Sequence, residues 1–116
     1  MEFRKLIVYQ KALGLYTELE KEILSKSEMD RALKDQLRSA ATSIVLNIAE
    51  GSSRFSRADR KNFLVISRGS AFECATIIDI IKSTGSKTFP LIENELMEIS
   101  KILFKMISNL ATKTKS

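Results

Sequence analysis

The sequence predicts an all-α fold, an antiparallel up-down-up-down four-helix bundle, in one domain over residues 1–116. Three observations carry that prediction. Four stretches repeat apolar residues every three or four positions, the period of a helix with one buried face. The punctuation between them is brief, and short connections set consecutive helices antiparallel. Glycine and proline number only four and one, which argues against an all-β chain, while 44% hydrophobic residues suffice for a packed core. No solenoid-like period and no low-complexity segment interrupts the pattern.

The first helix is placed at about residues 4–24, with Leu6, Tyr9, Leu13, Tyr16, Leu19 and Ile23 as its apolar stripe. Both tyrosines are expected to pack with their hydroxyls at the boundary. Gly14 costs about 1 kcal/mol relative to alanine inside a helix, and marks either a close helix contact or nothing. The second helix is placed at about 28–51, with Ser27 as its cap and Asp30 three residues on. Its inward positions are Leu33, Leu37, Ala40, Ala41, Ile44, Val45 and Ile48, and Gly51 suits the left-handed position after a helix end.

The third helix, at about 57–84, opens on Ser56-Arg57-Ala58-Asp59, a capping-box-like start with Asp in place of the usual Glu or Gln. Phe63, Ile66, Ser70, Cys74, Ile77, Ile78 and Ile81 follow the helical period. The small run Gly69-Ser70-Ala71 in mid-helix points to tight backbone approach. Cys74 reads as a small buried hydrophobe rather than a reactive thiol. After a stop at Gly85, the fourth helix is placed at about 90–111, starting on Pro90 and continuing through Ile92, Leu96, Ile99, Leu103, Met106 and Leu110. Ile102 and Phe104 widen its apolar surface enough to cover another subunit. Residues 112–116 are expected to form a frayed tail.

The formal charge is +5 and uneven. Arg54, Arg57, Arg60 and Lys61 stand against Asp59 alone, and Lys101, Lys105, Lys113 and Lys115 face no acid in the last sixteen residues. Arg54, Arg57, Arg60, Lys61, Lys113 and Lys115 are therefore candidates to bind a phosphate backbone through counterion release. A solvated, solubilising surface accounts for the same charges. No aromatic platform or recognition helix stands out, so contacts would go mainly to phosphates.

Catalytic parts are scarce. With no histidine there is no imidazole base, no Ser-His or Cys-His nucleophile and no Cys/His metal set. No P-loop or GxGxxG pattern occurs. The expectation is a non-enzyme without metal or cofactor. One cysteine makes no internal disulfide, and the N-terminus turns charged before any signal-peptide-like apolar run. No run has membrane-spanning length, so the cytoplasm is the expected compartment, with no membrane partner. What remains is a polar set: Asn47 and Glu50, one turn apart, then Arg54, Arg68 and Glu73. Such groups bordering the core either satisfy each other and hold helix register, or line a ligand pocket or metal-free acid/base site.

The run Ser43-Ile44-x-x-Asn47-Ile48-Ala49-Glu50-Gly51-x-x-Arg54, followed by Phe63-Leu64 and Arg68-Gly69-Ser70-Ala71-x-Glu73, resembles the bacterial four helix bundle proteins, also called 23S ribosomal RNA intervening-sequence proteins. Gln36-Leu37-Arg38 and Val8-Tyr9-Gln10-Lys11-Ala12 also look like family positions, and the similarity extends from about Phe3 to Leu110. The resemblance makes Asn47, Glu50, Gly51, Arg68, Gly69, Ser70 and Glu73 signature positions. It implies an antiparallel four-helix bundle, a ring-like homopentamer and no known enzymatic activity. A related branch, the accessory variability determinant proteins of diversity-generating retroelements, binds nucleic acid and a partner reverse transcriptase. The family commonly has proline where Val45 stands and often near Ser27; losing either leaves a more regular helix.

Three functions follow as expectations. The first is an oligomeric, non-enzymatic module binding nucleic acid, RNA before DNA, through basic surface. The second is a protein-interaction scaffold, for a reverse transcriptase or another polymerase, without nucleic-acid contact. The third is a ligand-binding bundle or small hydrolase centred on Glu50 and Arg68.

Overall fold

The computed structural model describes the backbone of residues 1–113 and the side chains of residues 1–111. Four α-helices form it: α1 (Ile7–Leu19), α2 (Arg31–Ser53), α3 (Arg57–Ser83) and α4 (Pro90–Lys113). Each packs on its two chain or ring neighbours, α1 on α2 and α4, and α3 on α2 and α4, while the described backbones of the diagonal pairs stay more than 8 Å apart. Cross-links run antiparallel. The Ser67 and Ser70 hydroxyls of α3 reach Ile44 and Ser43 of α2, whereas Lys82 and Arg68 of α3 reach Glu93 and Ser100 of α4. The bundle is thus the up-down-up-down arrangement expected.

Its core is aliphatic. Leu15, Leu19, Ile23, Leu37, Ile44, Ile48, Ile78, Ile92, Ile99 and Leu103 are almost wholly removed from water, each stabilising the fold by roughly 1.5–3 kcal/mol before entropy is counted. Tyr9 and Tyr16 are half-buried and pack against this core. Several positions differ from the expected stripes. Leu13 and Ile66 are 44% and 50% exposed. Val8, Ala12 and Leu15 take the buried face of α1, and Leu64, Ser67 and Ala71 that of α3. In α3 the crossing with α2 favours small side chains, so the serines lie inward and the bulky Ile66 outward.

The first element is not one continuous helix over 4–24. A 3-10 turn over Glu2–Lys5 is separated from α1 by Leu6, whose backbone is extended (φ −67°, ψ 130°). Edge-to-face contact of Phe3 with Tyr9, centroids 4.9 Å apart, folds that turn against α1. After Leu19 the helix widens into a π segment, Glu20–Leu24, where the Ser25 amide donates to the Glu20 carbonyl five residues back. The extra residue per turn lets adjacent Ile23 and Leu24 both enter the core.

Helix α2 starts at Arg31, three residues later than expected, because Asp30 is its cap: the Asp30 carboxylate accepts from the Leu33 amide at 2.9 Å. Ser27 does not cap it. Nor does Gly51 end it, since α2 continues to Ser53 and no described residue has positive φ. Gly51 is buried instead, and a Cβ there would lie 3.3 Å from Phe63 Cβ and 3.4 Å from the Arg60 carbonyl oxygen. The glycine marks a close approach of α2 and α3. Close approach expected at Gly69 is absent: that position is exposed, and an added Cβ would meet nothing within 4 Å. Ser56 caps α3 as expected, accepting from the Asp59 amide at 3.0 Å. Helix α4 runs two residues beyond the expected 111, while Lys115 and the rest of the expected tail lie outside the described residues.

Candidate nucleic-acid interface

Alternating helix direction brings four segments to one end of the bundle: the 3-10 turn, the end of α2, the start of α3 and the end of α4. The basic cluster sits there. Only three residues, Arg54, Phe55 and Ser56, separate α2 from α3. Arg54 occupies the C-cap of α2, where a cation complements the helix dipole. Its guanidinium pairs with Glu50 at 2.9 Å and lies 4.7 Å over the Phe63 ring. Arg60 Nε donates to the Arg54 carbonyl at 2.6 Å, closing the loop from the other side.

Arg57 and Lys61 differ from these two. They lie four residues apart on one face of α3, and neither makes an ion pair or hydrogen bond among the described residues. For Arg57 the place is electrostatically unfavourable for the fold, since a cation in the first turn opposes the positive end of the helix dipole, at about 0.3–1 kcal/mol; Lys61 stands one turn further in. Only Asp59 matches that dipole. The amides of the α3 N-terminus and these cations add to a positive field around the start of α3. Beneath it lies a cleft of about 360 Å³, with Phe3, Leu6, Leu64, Met106 and Leu110 on its floor and Arg57, Arg60, Glu2 and Asn109 at its rim. Lys113 belongs to the last turn of α4 at this end, its side chain outside the described set, as is Lys115.

Sequence reasoning missed Phe55. Its ring is 101% exposed, as free as in an extended chain. The signal was present: a phenylalanine in a loop too short to fold back, between a helix's last residues and the next helix's cap, has no face to bury.

The signature positions separate into three groups. Asn47, Ser43 and Ser70 form a polar seam between α2 and α3. Asn47 Nδ2 donates to the Ser43 carbonyl (2.8 Å) and Oγ (3.0 Å), and Ser70 Oγ donates to Ser43 Oγ at 2.7 Å. With Ser67 donating to the Ile44 carbonyl, no described buried side-chain polar atom lacks a partner. This seam sets helix register. Glu50, in the last turn of α2, is exposed and tied to Arg54 of the loop rather than bordering the core.

Arg68 lies in a different place, half-buried between α3 and α4. Its guanidinium sits 4.8 Å over Phe72 and 5.2 Å over Phe104, and its Nε donates to the Ser100 carbonyl at 3.3 Å. It borders an open groove of about 570 Å³ whose exposed apolar residues include Phe72 and Met97. Glu50 and Arg68 share no contact and no cleft, so the acid/base pair considered from the sequence is not assembled. Glu73 is exposed and joins none of these contacts. Beside it Cys74 is buried, and desolvation, helped by the Glu73 charge, pushes its thiol pKa up to about 12. No described helix is long and apolar enough to cross a membrane.

Comparison with known proteins agrees with this architecture. Residues 4–106 match the family model of the 23S rRNA-intervening sequence protein. A crystal structure of a protein with unknown function from the S23 ribosomal protein family of Bacteroides thetaiotaomicron VPI-5482 superposes with a TM-score of 0.77. It shares 28% identity, over 87% of this chain and 98% of that one. No curated protein matches. With the four-helix bundle and the match over residues 4–106 in agreement, the chain belongs to the 23S rRNA-intervening sequence protein family.

Proposed function

We propose that this chain is a non-catalytic module that assembles with copies of itself and holds RNA by its cationic tip. The observation that carries the reading is the pair Arg57 and Lys61: two cations free of internal partners among the described residues and one turn apart, the first of them set against the dipole of the helix that bears it. Structure that spends stability on unpaired charge at one tip has a use for the field it creates. Phosphates answer that field, and releasing their counterions drives the binding. Copies of the chain cover the groove between α3 and α4, where Phe72, Met97 and Phe104 are each more than half exposed. A homopentameric ring, as the family resemblance implies, presents several tips together and multiplies a weak contact by avidity.

The test is fluorescence anisotropy with a labelled RNA hairpin across a salt series. The intact protein should bind with log affinity falling steeply against log salt. Arg57→Glu with Lys61→Glu should abolish binding at moderate salt. Arg60 is a poorer choice for reversal because it also ties the loop to Arg54. Equal binding by the doubly reversed protein would refute the assignment. A second reading uses the α3–α4 groove for another protein, such as a polymerase, and rests on the same exposed apolar residues. Light scattering separates the two. A mass several times 13.1 kDa that falls on Met97→Glu supports covering by copies of the chain; a monomer supports the scaffold.

A further inference from the structure

We infer that Phe55 is a stacking platform for one unpaired nucleobase, so that the tip selects looped or single-stranded RNA over continuous duplex; this rests on the RNA reading above. The argument begins with what holds the residue. On one side Arg54 is fixed three ways: its guanidinium by Glu50 and the Phe63 ring, its carbonyl by Arg60. On the other, Ser56 is fixed as the cap of α3. Phe55 is therefore presented by a backbone pinned at both flanks, and its ring touches nothing. A pinned backbone leaves only the two side-chain torsions of the ring to be fixed when it is covered.

The surroundings choose the occupant. Every residue from Ser52 to Arg60 is exposed, and apart from Phe55 and Ala58 all of them are serines or charged side chains. A lone aromatic face within reach of unpaired cations fits the planar face of a base between two phosphates. An apolar protein or lipid surface would need neighbouring apolar contacts, and the loop supplies none. Duplex bases are already stacked on each other, so their faces are unavailable to Phe55. The platform adds base-face affinity to a site whose other contacts go to phosphates, and it does so without sequence preference, because every base has such a face.

The experiment uses the full chain and a ten-nucleotide labelled RNA, single-stranded and as a blunt duplex. Phe55→Ala should weaken single-strand binding roughly five- to a hundredfold. It should change duplex binding less than about twofold and leave the salt slope unaltered, since stacking releases no counterions. The chain has no tryptophan, so Phe55→Trp places a single indole at the tip. That variant should keep binding, and its fluorescence should be quenched by the single strand. Circular dichroism checks folding, which a fully exposed side chain should not disturb.

Unchanged single-strand binding by Phe55→Ala, with loss in the Arg57/Lys61 reversal, overturns this inference and leaves the phosphate reading standing. If the intact protein binds neither RNA, both fall. A lower mass for Phe55→Ala by light scattering would assign the ring to a subunit interface. Quenching of the indole by anionic phosphatidylserine vesicles and not by RNA would assign it to a membrane surface. Either result refutes the stacking role.

Discussion

Three glycines lie inside α-helices, and the structure predicts one outcome for alanine at Gly14 and Gly69 and another at Gly51. Replacing a helical glycine by alanine removes freedom from the unfolded chain and stabilises a helix by about 1 kcal/mol, provided the new methyl fits. At Gly14 and Gly69 it would meet nothing within 4 Å, so each alanine variant should gain about 0.5–1 kcal/mol. For a chain of this length that is a rise of roughly 2–6 °C in Tm. At Gly51 the methyl would sit 3.3 Å from Phe63 Cβ and 3.4 Å from the Arg60 carbonyl oxygen. Carbon contacts are most favourable at about 3.5–4.0 Å. Both of these neighbours are anchored to the backbone of α3 and retreat only if the helix does. The helical gain should therefore be cancelled in Gly51→Ala, and Gly51→Val should lose about 1–3 kcal/mol by overpacking. Urea denaturation followed at 222 nm measures all four variants as midpoint shifts at constant slope. A Gly51→Ala gain equal to that of Gly69→Ala would refute the close crossing of α2 and α3. Destabilisation by Gly69→Ala would show that another surface covers that position.

Further expectations concern the cap, the thiol and the loop pair. Asp30→Ala should cost about 1 kcal/mol by leaving the Leu33 amide without its acceptor, whereas Ser27→Ala should change stability by less than about 0.5 kcal/mol in the same urea assay. Cys74 should not react with Ellman's reagent in the native protein at pH 8 and should react at once in denaturant. Its raised pKa also sets a sign. The native thiol keeps its proton while the unfolded one loses it, so the contribution is intact below about pH 9 and declines by about 1.4 kcal/mol per pH unit from there towards 12. Cys74→Ala should lack that part of the alkaline slope in melts between pH 8.5 and 10.5. Glu50→Gln should cost no more than about 0.5 kcal/mol by thermal melt, because the Glu50–Arg54 pair is exposed. A loss above 2 kcal/mol would instead place Glu50 in a buried network.

The number, order and direction of the helices were legible in the chain itself. Apolar periodicity is imposed by the 3.6-residue turn, and connections of three to six residues leave consecutive helices no choice but to reverse. Ser56 and Pro90 were readable for the same local reason, since each acts on its own helix start. Effects that depend on a facing helix were not. Gly51 looked like a stop and is a crossing point; Gly69 looked like a crossing point and faces open space. Both have the same missing side chain, and only the position of α3 against α2 tells them apart. Ser27 read as the cap of α2, with Asp30 three residues on; Asp30 holds the cap instead, beside Met29 and Leu33, which pack on the core. For the site, the residue types and the cluster 54–61 could be read in advance. Pairing within it could not. Which cations are spent on the fold, Arg54 and Arg60, and which remain free, Arg57 and Lys61, depends on how a three-residue loop folds back over two helix ends. Distances across that loop come from the meeting of two rigid helices, a property no single stretch of sequence contains.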